Sequence, residues 1–263
     1  MENIRTLYTF TVELEKEIER SETVTVDGQT YDRKVKVKEK TPVKIALKKP
    51  GRQEFEDTRV FYGISQNKAI TDGFLTKGMM VNKYANTTGG IFSQNEAKEL
   101  LQLFKRRDLI DTELKQAAAI KAPEEIQADL KEKLLAISRQ ILEIELSNQS
   151  LFQHTAEYRA REQAISYMFY CFSYIERNGH WVPLFDADDE DPVKRFNLKR
   201  SQHFKMEDNE DQLLLLVRDR LLNLFAHYYE GAAGTAEDFK RVEEEFFNKF
   251  ASAKTETPQE TNV

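Results

Sequence analysis

The chain contains 263 residues, of which 40% are hydrophobic and 32% charged, and its formal net charge is −6. This length is enough for one large domain or two small ones with a hydrophobic core, and the single cysteine, Cys171, excludes an internal disulfide framework. The longest strongly apolar runs, 213–217 and 167–175, fall well short of the ~20 residues that cross a bilayer, and the first residues lack the order of a signal peptide, so we expect a soluble protein used inside a cell.

Residues 1–52 are predicted to form an antiparallel β head. Apolar and polar residues alternate over 6–14, as on a half-buried strand. Asp27-Gly28 lies between two further strand-like runs and supplies the positive φ of a type I′ hairpin turn. More short strands are predicted around Val35–Val37 and Val43–Leu47. Three or four short strands make a small sheet, which we expect to pack on helices because it cannot stand alone.

The β head contains a basic segment, defined here as residues 33–52. It holds nine basic residues and one acid, Glu39, for a charge of +8, so the rest of the chain carries −14. One interpretation is that the lysines protect a strand edge from pairing with other chains. The other is that the segment docks nucleic acid or an acidic partner. The candidate partner-binding residues of this segment are Lys34, Lys36, Lys38, Lys44 and Lys48.

Residues 53–252 are predicted to form a mainly helical body that begins after Pro50-Gly51. The sequence indicates helices over 53–71, over 76–84, after a capping box formed by Ser93 and Glu96, over 123–178, over 212–230 and after Thr235. A polar connector is predicted over 180–210 and a disordered tail over 253–263. The fold class that follows is α+β, with the small sheet placed before the helices.

The segment from Pro123 to Gly179 runs 55 residues without an internal glycine or proline, and its apolar residues return every three or four positions. One unbroken helix here would be about 80 Å long. A break near Asn148 into an antiparallel hairpin is the alternative. The apolar stripe is wide, which favours a helical bundle over a two-stranded coiled coil. Its candidate partner-binding residues are Ile137, Ile141 and Ile144.

The sequence contains no recognisable catalytic constellation. Glycine-rich phosphate loops are absent, and the four histidines lack metal-ligand spacing. Cys171 lies among aromatic residues, as expected for an inert buried thiol. The acidic loop 186–191 could offer oxygen ligands to calcium or magnesium, but it has Asp191 where a calcium loop needs glycine, and Pro192 interrupts it. We therefore predict a solvated acidic turn, with no catalytic residue, metal or cofactor.

Several segments together resemble virion structural or tail-assembly proteins of large tailed bacteriophages, particularly marine ones. The resemblance covers about half of the chain in scattered pieces, and it is carried by Lys48–Asp57, Gly73–Met80, Leu222–Gly231 and Thr235–Phe239. None is a catalytic signature, and the resemblance implies a non-enzymatic role in building the particle or forming part of it.

Three hypotheses follow for the function. The first is a structural or assembly protein that binds other phage structural proteins or copies of itself, without a membrane, in the virion or the host cytoplasm. The second is a nucleic-acid-binding protein that uses the basic segment, against which the negative net charge weighs. The third is an enzyme with a site near the acidic loop 186–191.

Overall fold

The computed structural model describes the backbone of residues 4–26, 29–85 and 94–255, and the side chains in these ranges except at 16–35, 85, 94, 146, 149 and 248–255. It confirms an α+β fold. In chain order the elements are β1 (Thr6–Val26), β2 (Gln29–Lys48), α1 (Arg52–Thr71), α2 (Lys77–Ala85), α3 (Gln94–Ala119), α4 (Glu124–Ser147), α5 (Gln149–Phe152), α6 (Ala156–Phe172), β3 (Ser173–Arg177), β4 (His180–Pro183), α7 (Pro192–Asp208), α8 (Gln212–Tyr229) and α9 (Ala236–Thr255).

The chain divides into two compact units. The first consists of residues 1–61 and 164–263, and the second of residues 62–163, so the division falls within α1 and α6. This differs from the predicted boundary at residue 52 between a β head and a helical body. The difference arises because the sheet buries its apolar face against helices from the second half of the chain. None of the described helices is both long and apolar enough to cross a membrane.

The first unit is built on an antiparallel sheet in the order β1-β2-β3-β4. Phe10, Ile45 and Leu47 point into a core with large aromatic residues of α6, α8 and α9. The members of this core that are most fully buried are Ile45, Leu47, Tyr167, Met168, Phe169, Phe185, Leu214, Leu221, Leu224, Phe225 and Phe239. Burial of so many large side chains supplies the main stabilisation of the unit.

The second unit contains a helical hairpin of α3 and α4, to which α2 and α5 pack. Its core is formed by Met80, Val81, Ala97, Leu100, Ile110, Ile137, Ile141 and Phe152. The Lys77 ammonium binds both carboxylate oxygens of Glu145 at 2.6 and 2.7 Å. The backbone N–H of Ala156 donates to the carbonyl of Leu75 at 2.9 Å. These contacts join α2 to α4 and to the start of α6.

The predicted long helical stretch is broken, which rules out one rod. It ends first at Ser147, with Asn148 as the C-cap, close to the break considered in the sequence. Residues 173–177, predicted as helix, instead form β3, because Ser173–Ile175 pair with Leu47–Ile45 of β2. Asn178 and Gly179 then have positive φ values of 52° and 76° and turn the chain into β4.

Two other predictions need correction. The connector over 180–210 is not irregular, because it contains β4 and the 17-residue helix α7. The β head has two strands of 21 and 20 residues instead of several short ones. Asp27-Gly28, Ser93 and residues 256–263 of the predicted tail lie outside the described residues, whereas residues 253–255 belong to α9.

Candidate interaction surface

The most distinctive feature of the first unit is a long two-stranded ribbon formed by β1 and β2. The two strands pair along their length, from Thr6 with Lys48 to Val26 with Gln29. β3 pairs only with residues 45–47 of β2. Residues 16–26 of β1 therefore pair with residues 29–39 of β2, and neither segment pairs with a third strand of the described sheet. We call residues 16–26 and 29–39 the arm; at about 3.4 Å per residue its ladder is roughly 34 Å long.

The register of the ribbon places opposite charges against each other. Five directly opposed pairs join an acid to a base: Glu15 with Lys40, Lys16 with Glu39, Glu17 with Lys38, Glu19 with Lys36, and Glu22 with Arg33. Opposite charges at directly opposed positions favour an antiparallel strand pair. The basic segment is therefore matched along β1 by acids, a relationship that its composition alone does not show.

Diagonal ion pairs reinforce this ladder where side chains are described. Lys40 donates to Glu13 at 3.0 Å, and Lys38 lies 3.7 Å from Glu15. The hydrogen bond to Glu13 raises the pKa of Lys40. All four side chains are well exposed, so the ion pairs contribute little to the stability of the fold. They place acidic side chains on β1 beside lysines on β2.

The other predicted lysines have separate positions. Lys44 binds Glu176 of β3 at 3.0 Å, and Lys48 binds Glu54 of α1 at 2.7 Å. Lys34 lies opposite Ser21 in the register. The lysines of the basic segment therefore share one strand, but Lys44 and Lys48 make ion pairs with elements outside the ribbon.

The apolar candidates Ile137 and Ile141 lie in the core of the second unit, with only 6% and 4% of their surface exposed. Ile144 is partly buried and packs against the same core. These residues hold α4 to its own unit, and their burial leaves Ile137 and Ile141 no surface for a partner while the unit is folded. The outward side of α4 instead carries Leu135 and Leu142, which are exposed.

An apolar groove lies at the base of the ribbon. It has a volume of about 500 Å³ and lies between residues 11–15 of β1, Lys40 of β2, the first half of α8 and the middle of α9. Its exposed apolar residues are Leu215, Leu216 and Phe247, at 59%, 48% and 50% exposure. Sequence analysis did not single out this groove. The signal was the run Leu213–Leu216, because four consecutive leucines cannot all face one side of a helix.

Beside this groove, Arg220 joins the sheet to both helices. Its guanidinium lies 3.7 Å from the centre of the Phe10 ring and hydrogen-bonds Glu243 of α9. Glu243 also accepts a hydrogen bond of 2.9 Å from the Tyr8 hydroxyl, and Tyr8 stacks on Phe239. These buried contacts fix β1 on α8 and α9, so the arm is anchored on a rigid base.

The acidic loop 186–191 borders a second cleft of about 600 Å³. Arg195 organises this loop, because its guanidinium donates to Asp188, to the carbonyl of Asp189, to Asp57 of α1 and to the Tyr167 hydroxyl, at 2.8–3.1 Å. Asp191 caps α7 by accepting from the N–H groups of residues 193 and 194, and these hydrogen bonds lower its pKa. Several of the loop's carboxylates thus have structural roles.

Two buried groups of this second cleft, Lys199 and Cys171, have shifted pKa values. Burial lowers the pKa of Lys199, whose ammonium donates to the carbonyl of Phe185 at 2.6 Å. Burial raises the pKa of the Cys171 thiol to about 12, so the thiol stays protonated at neutral pH. Within the described ranges, no three His, Cys, Asp or Glu residues are arranged to hold a metal ion. Arg195 and Asp191 hold the loop at the edge of this cleft.

Comparison with known proteins identifies no relative of this chain: no family model, curated protein or solved structure matches it.

Proposed function

We propose that this protein is a non-enzymatic structural or assembly protein that acts through protein–protein contacts. The observation that carries the proposal is the arm, a two-stranded ribbon that continues far beyond its contact with β3. A two-stranded hairpin is marginally stable by itself in water. We therefore expect a partner to stabilise an arm of this length, and binding that partner to be the function of the arm.

The rigid base of the arm favours the same function. Arg220, Glu243 and Tyr8 fix the start of β1 on two helices, and the apolar groove beside them exposes Leu215, Leu216 and Phe247. Exposed apolar surface next to a sheet edge is typical of interaction sites. The resemblance to virion and tail-assembly proteins supports a phage particle as the setting, with phage structural proteins as the partners.

The cross-strand ladder supports this proposal over nucleic-acid binding. Phosphate contacts need lysine charges that are not already balanced by neighbouring carboxylates. Along the ribbon, acids of β1 face Lys36, Lys38 and Lys40 directly. The acids of the adjacent strand therefore reduce the positive field of the basic segment along the arm.

The test is an arm-shortened variant in which Asn-Gly replaces residues 16–39. Glu15 and Lys40 are direct partners in the register, so a two-residue type I′ turn can join them. The sheet pairing at 45–47 and the core stay intact, and the single tryptophan, Trp181 on β4, reports the stability of the first unit. We expect the urea midpoint from Trp181 fluorescence to match that of the full-length chain.

The functional readout is complementation of a phage that lacks this protein. Supply of the full-length chain should restore complete particles, counted by electron microscopy, and supply of the arm-shortened variant should not. Restoration by the shortened variant would overturn the role of the arm. Normal particles from the phage that lacks the protein would overturn the assembly function itself.

A further inference from the structure

The arm has two free edges with opposite charge. In the described sheet, β1 pairs with β2 only, so its outer edge has no partner strand. The outer edge of β2 is open from residue 44 towards Gln29, since β3 covers only residues 45–47. An open strand edge presents unpaired backbone N–H and C=O groups and is a template for another strand.

The residues of the two edge strands differ in the sign of their charge. At alternate positions β1 carries Glu13, Glu15, Glu17 and Glu19, and β2 carries Lys34, Lys36, Lys38 and Lys40. The register brings these two rows onto matching positions, with Glu15 opposite Lys40 and Glu19 opposite Lys36. Where the side chains are described, at residues 13, 15, 36, 38 and 40, they are exposed.

This asymmetry decides which strand fits each edge. If β1 paired with β1 of a second copy in antiparallel fashion, acids would face acids, and two β2 strands would place lysines against lysines. Like charges at opposed positions destabilise a strand pair. If β1 paired with β2 of a second copy, the interface would repeat the opposite-charge pairs that already exist inside each ribbon. The strand that best fits either edge is therefore present in every copy of the chain.

We propose that the arms of successive copies pair edge to edge, with β1 of one copy against β2 of the next, in a continuous antiparallel sheet. This inference rests on the proposed function and names a second copy of this chain as the partner of the arm. The contact is heterologous, because each copy uses two different edges. Such contacts close into rings or extend into filaments.

Charge also disfavours pairing of the arm with other open strands. Lysines on an edge strand repel basic strands, and a neutral strand that added there would bury them without an opposite charge. The same lysines attract the acidic row of β1, so one set of residues both rejects wrong strands and selects the right one. Since the ion pairs are exposed, the association weakens as salt rises.

The decisive variant exchanges both rows completely, so that each opposed pair keeps one acid and one base: Glu13→Lys, Glu15→Lys, Glu17→Lys, Glu19→Lys, Lys34→Glu, Lys36→Glu, Lys38→Glu and Lys40→Glu. The ladder inside the ribbon keeps its opposite charges, with their direction reversed, so the variant should retain the wild-type urea midpoint from Trp181 fluorescence. The exchanged chains should still associate with each other. They should not associate with wild type, because each mixed interface places like charges together.

Association is measured by sedimentation velocity of each full-length chain at about 50 and about 500 mM salt, and by affinity capture of one tagged form with the other untagged form. We expect capture between wild type and the exchanged variant to fall at least about tenfold below capture within either form. Equal capture of both forms, or a monomer at all concentrations and at low salt, would overturn the pairing of arms. That result would leave the complementation experiment unaffected, so failure of this inference is distinguishable from failure of the assembly function.

Discussion

The guanidinium of Arg195 on α7 binds the carboxylate of Asp57 on α1, with 3.1 Å between Nη1 and Oδ2. Both side chains are largely buried, and the same guanidinium holds Asp188 and the Tyr167 hydroxyl. One side chain thus connects the acidic loop, α1 and α6 within the first unit. Its removal leaves two carboxylates without their shared cation.

Substitution of Arg195 should therefore destabilise the first unit. We expect Arg195→Met to lower the free energy of unfolding by about 2–4 kcal/mol, since breaking a partly buried ion pair leaves uncompensated charge. The measurement is urea unfolding followed by Trp181 fluorescence. The control is Lys194→Met, an exposed neighbour on the same helix, expected to change the free energy by less than about 0.5 kcal/mol. Equal effects of the two variants would contradict the structural role of Arg195.

Because Ile141 lies in the core of the second unit, a charged substitution there should destabilise that unit. Ile141→Asp and Ile137→Asp each place a carboxylate in an apolar core, at a cost of several kcal/mol. We expect an earlier urea transition in far-UV circular dichroism, with loss of helical signal. Leu135→Asp and Leu142→Asp are matched controls, because these leucines are exposed on the same helix. The burial of Ile141 would be refuted if its variant unfolded together with the two controls.

The thiol of Cys171 should be nearly inert in the folded protein. With a pKa raised to about 12 by burial, it carries on the order of a thousandth of the thiolate that an ordinary thiol carries at pH 8. Alkylation by iodoacetamide at pH 8 should therefore be roughly a thousandfold slower in native protein than in urea, and its rate should rise with pH. Comparable rates in the two states would show that the thiolate is accessible and formed.

His203 gives the first unit a pH dependence. Its ring is buried among Phe169, Tyr170 and Phe185, neither ring nitrogen has a hydrogen-bond partner, and Nδ1 lies 3.6 Å from Glu207. Burial lowers its pKa in the folded state. The unfolded chain then binds the proton more readily, so the free energy of unfolding falls as the pH drops below about 6.5.

Replacement of His203 should remove this part of the pH dependence. His203→Phe keeps an aromatic ring among the surrounding aromatic side chains. We expect it to flatten the dependence of the unfolding free energy on pH between about pH 6.5 and pH 5. His180→Asn changes an exposed histidine and should keep the wild-type slope. The readout is the urea midpoint from Trp181 fluorescence at each pH. An unchanged slope in His203→Phe would assign the dependence to other groups.

Local signals in the sequence were sufficient for most helix ends. Thr76 accepts a hydrogen bond from the N–H of Met79, Pro123 precedes α4, and Thr235 and Asp238 cap each other at the start of α9. The hydrogen bonds at Thr76 and at Thr235 join residues three positions apart, so the sequence alone contains both partners. The same holds for the end of α1 at Gly73, whose φ is 94°. The α+β class followed from these local patterns.

Contacts between residues that are distant in sequence determine the features that local patterns do not predict. Residues 173–177 have helical periodicity, yet they form a strand because their partners are Ile45–Leu47, far away in sequence. The sequence predicts a solvated turn for the acidic loop. In the structure Arg195 binds both this loop and Asp57 of α1, which lies far away in sequence. Pattern periodicity cannot contain this information, since it records spacing along the chain and not which segments meet.

The basic segment shows most clearly the difference between what the sequence determines and what strand pairing determines. Its composition was compatible with nucleic-acid docking and with edge protection, because net charge carries no information about neighbours. The register of β1 and β2 placed Glu15 against Lys40 and Glu19 against Lys36. A shift by one residue would have broken every one of these pairs. The amino-acid order therefore supplied two charged rows, while strand pairing, which is a property of the folded chain, turned them into edges of opposite sign.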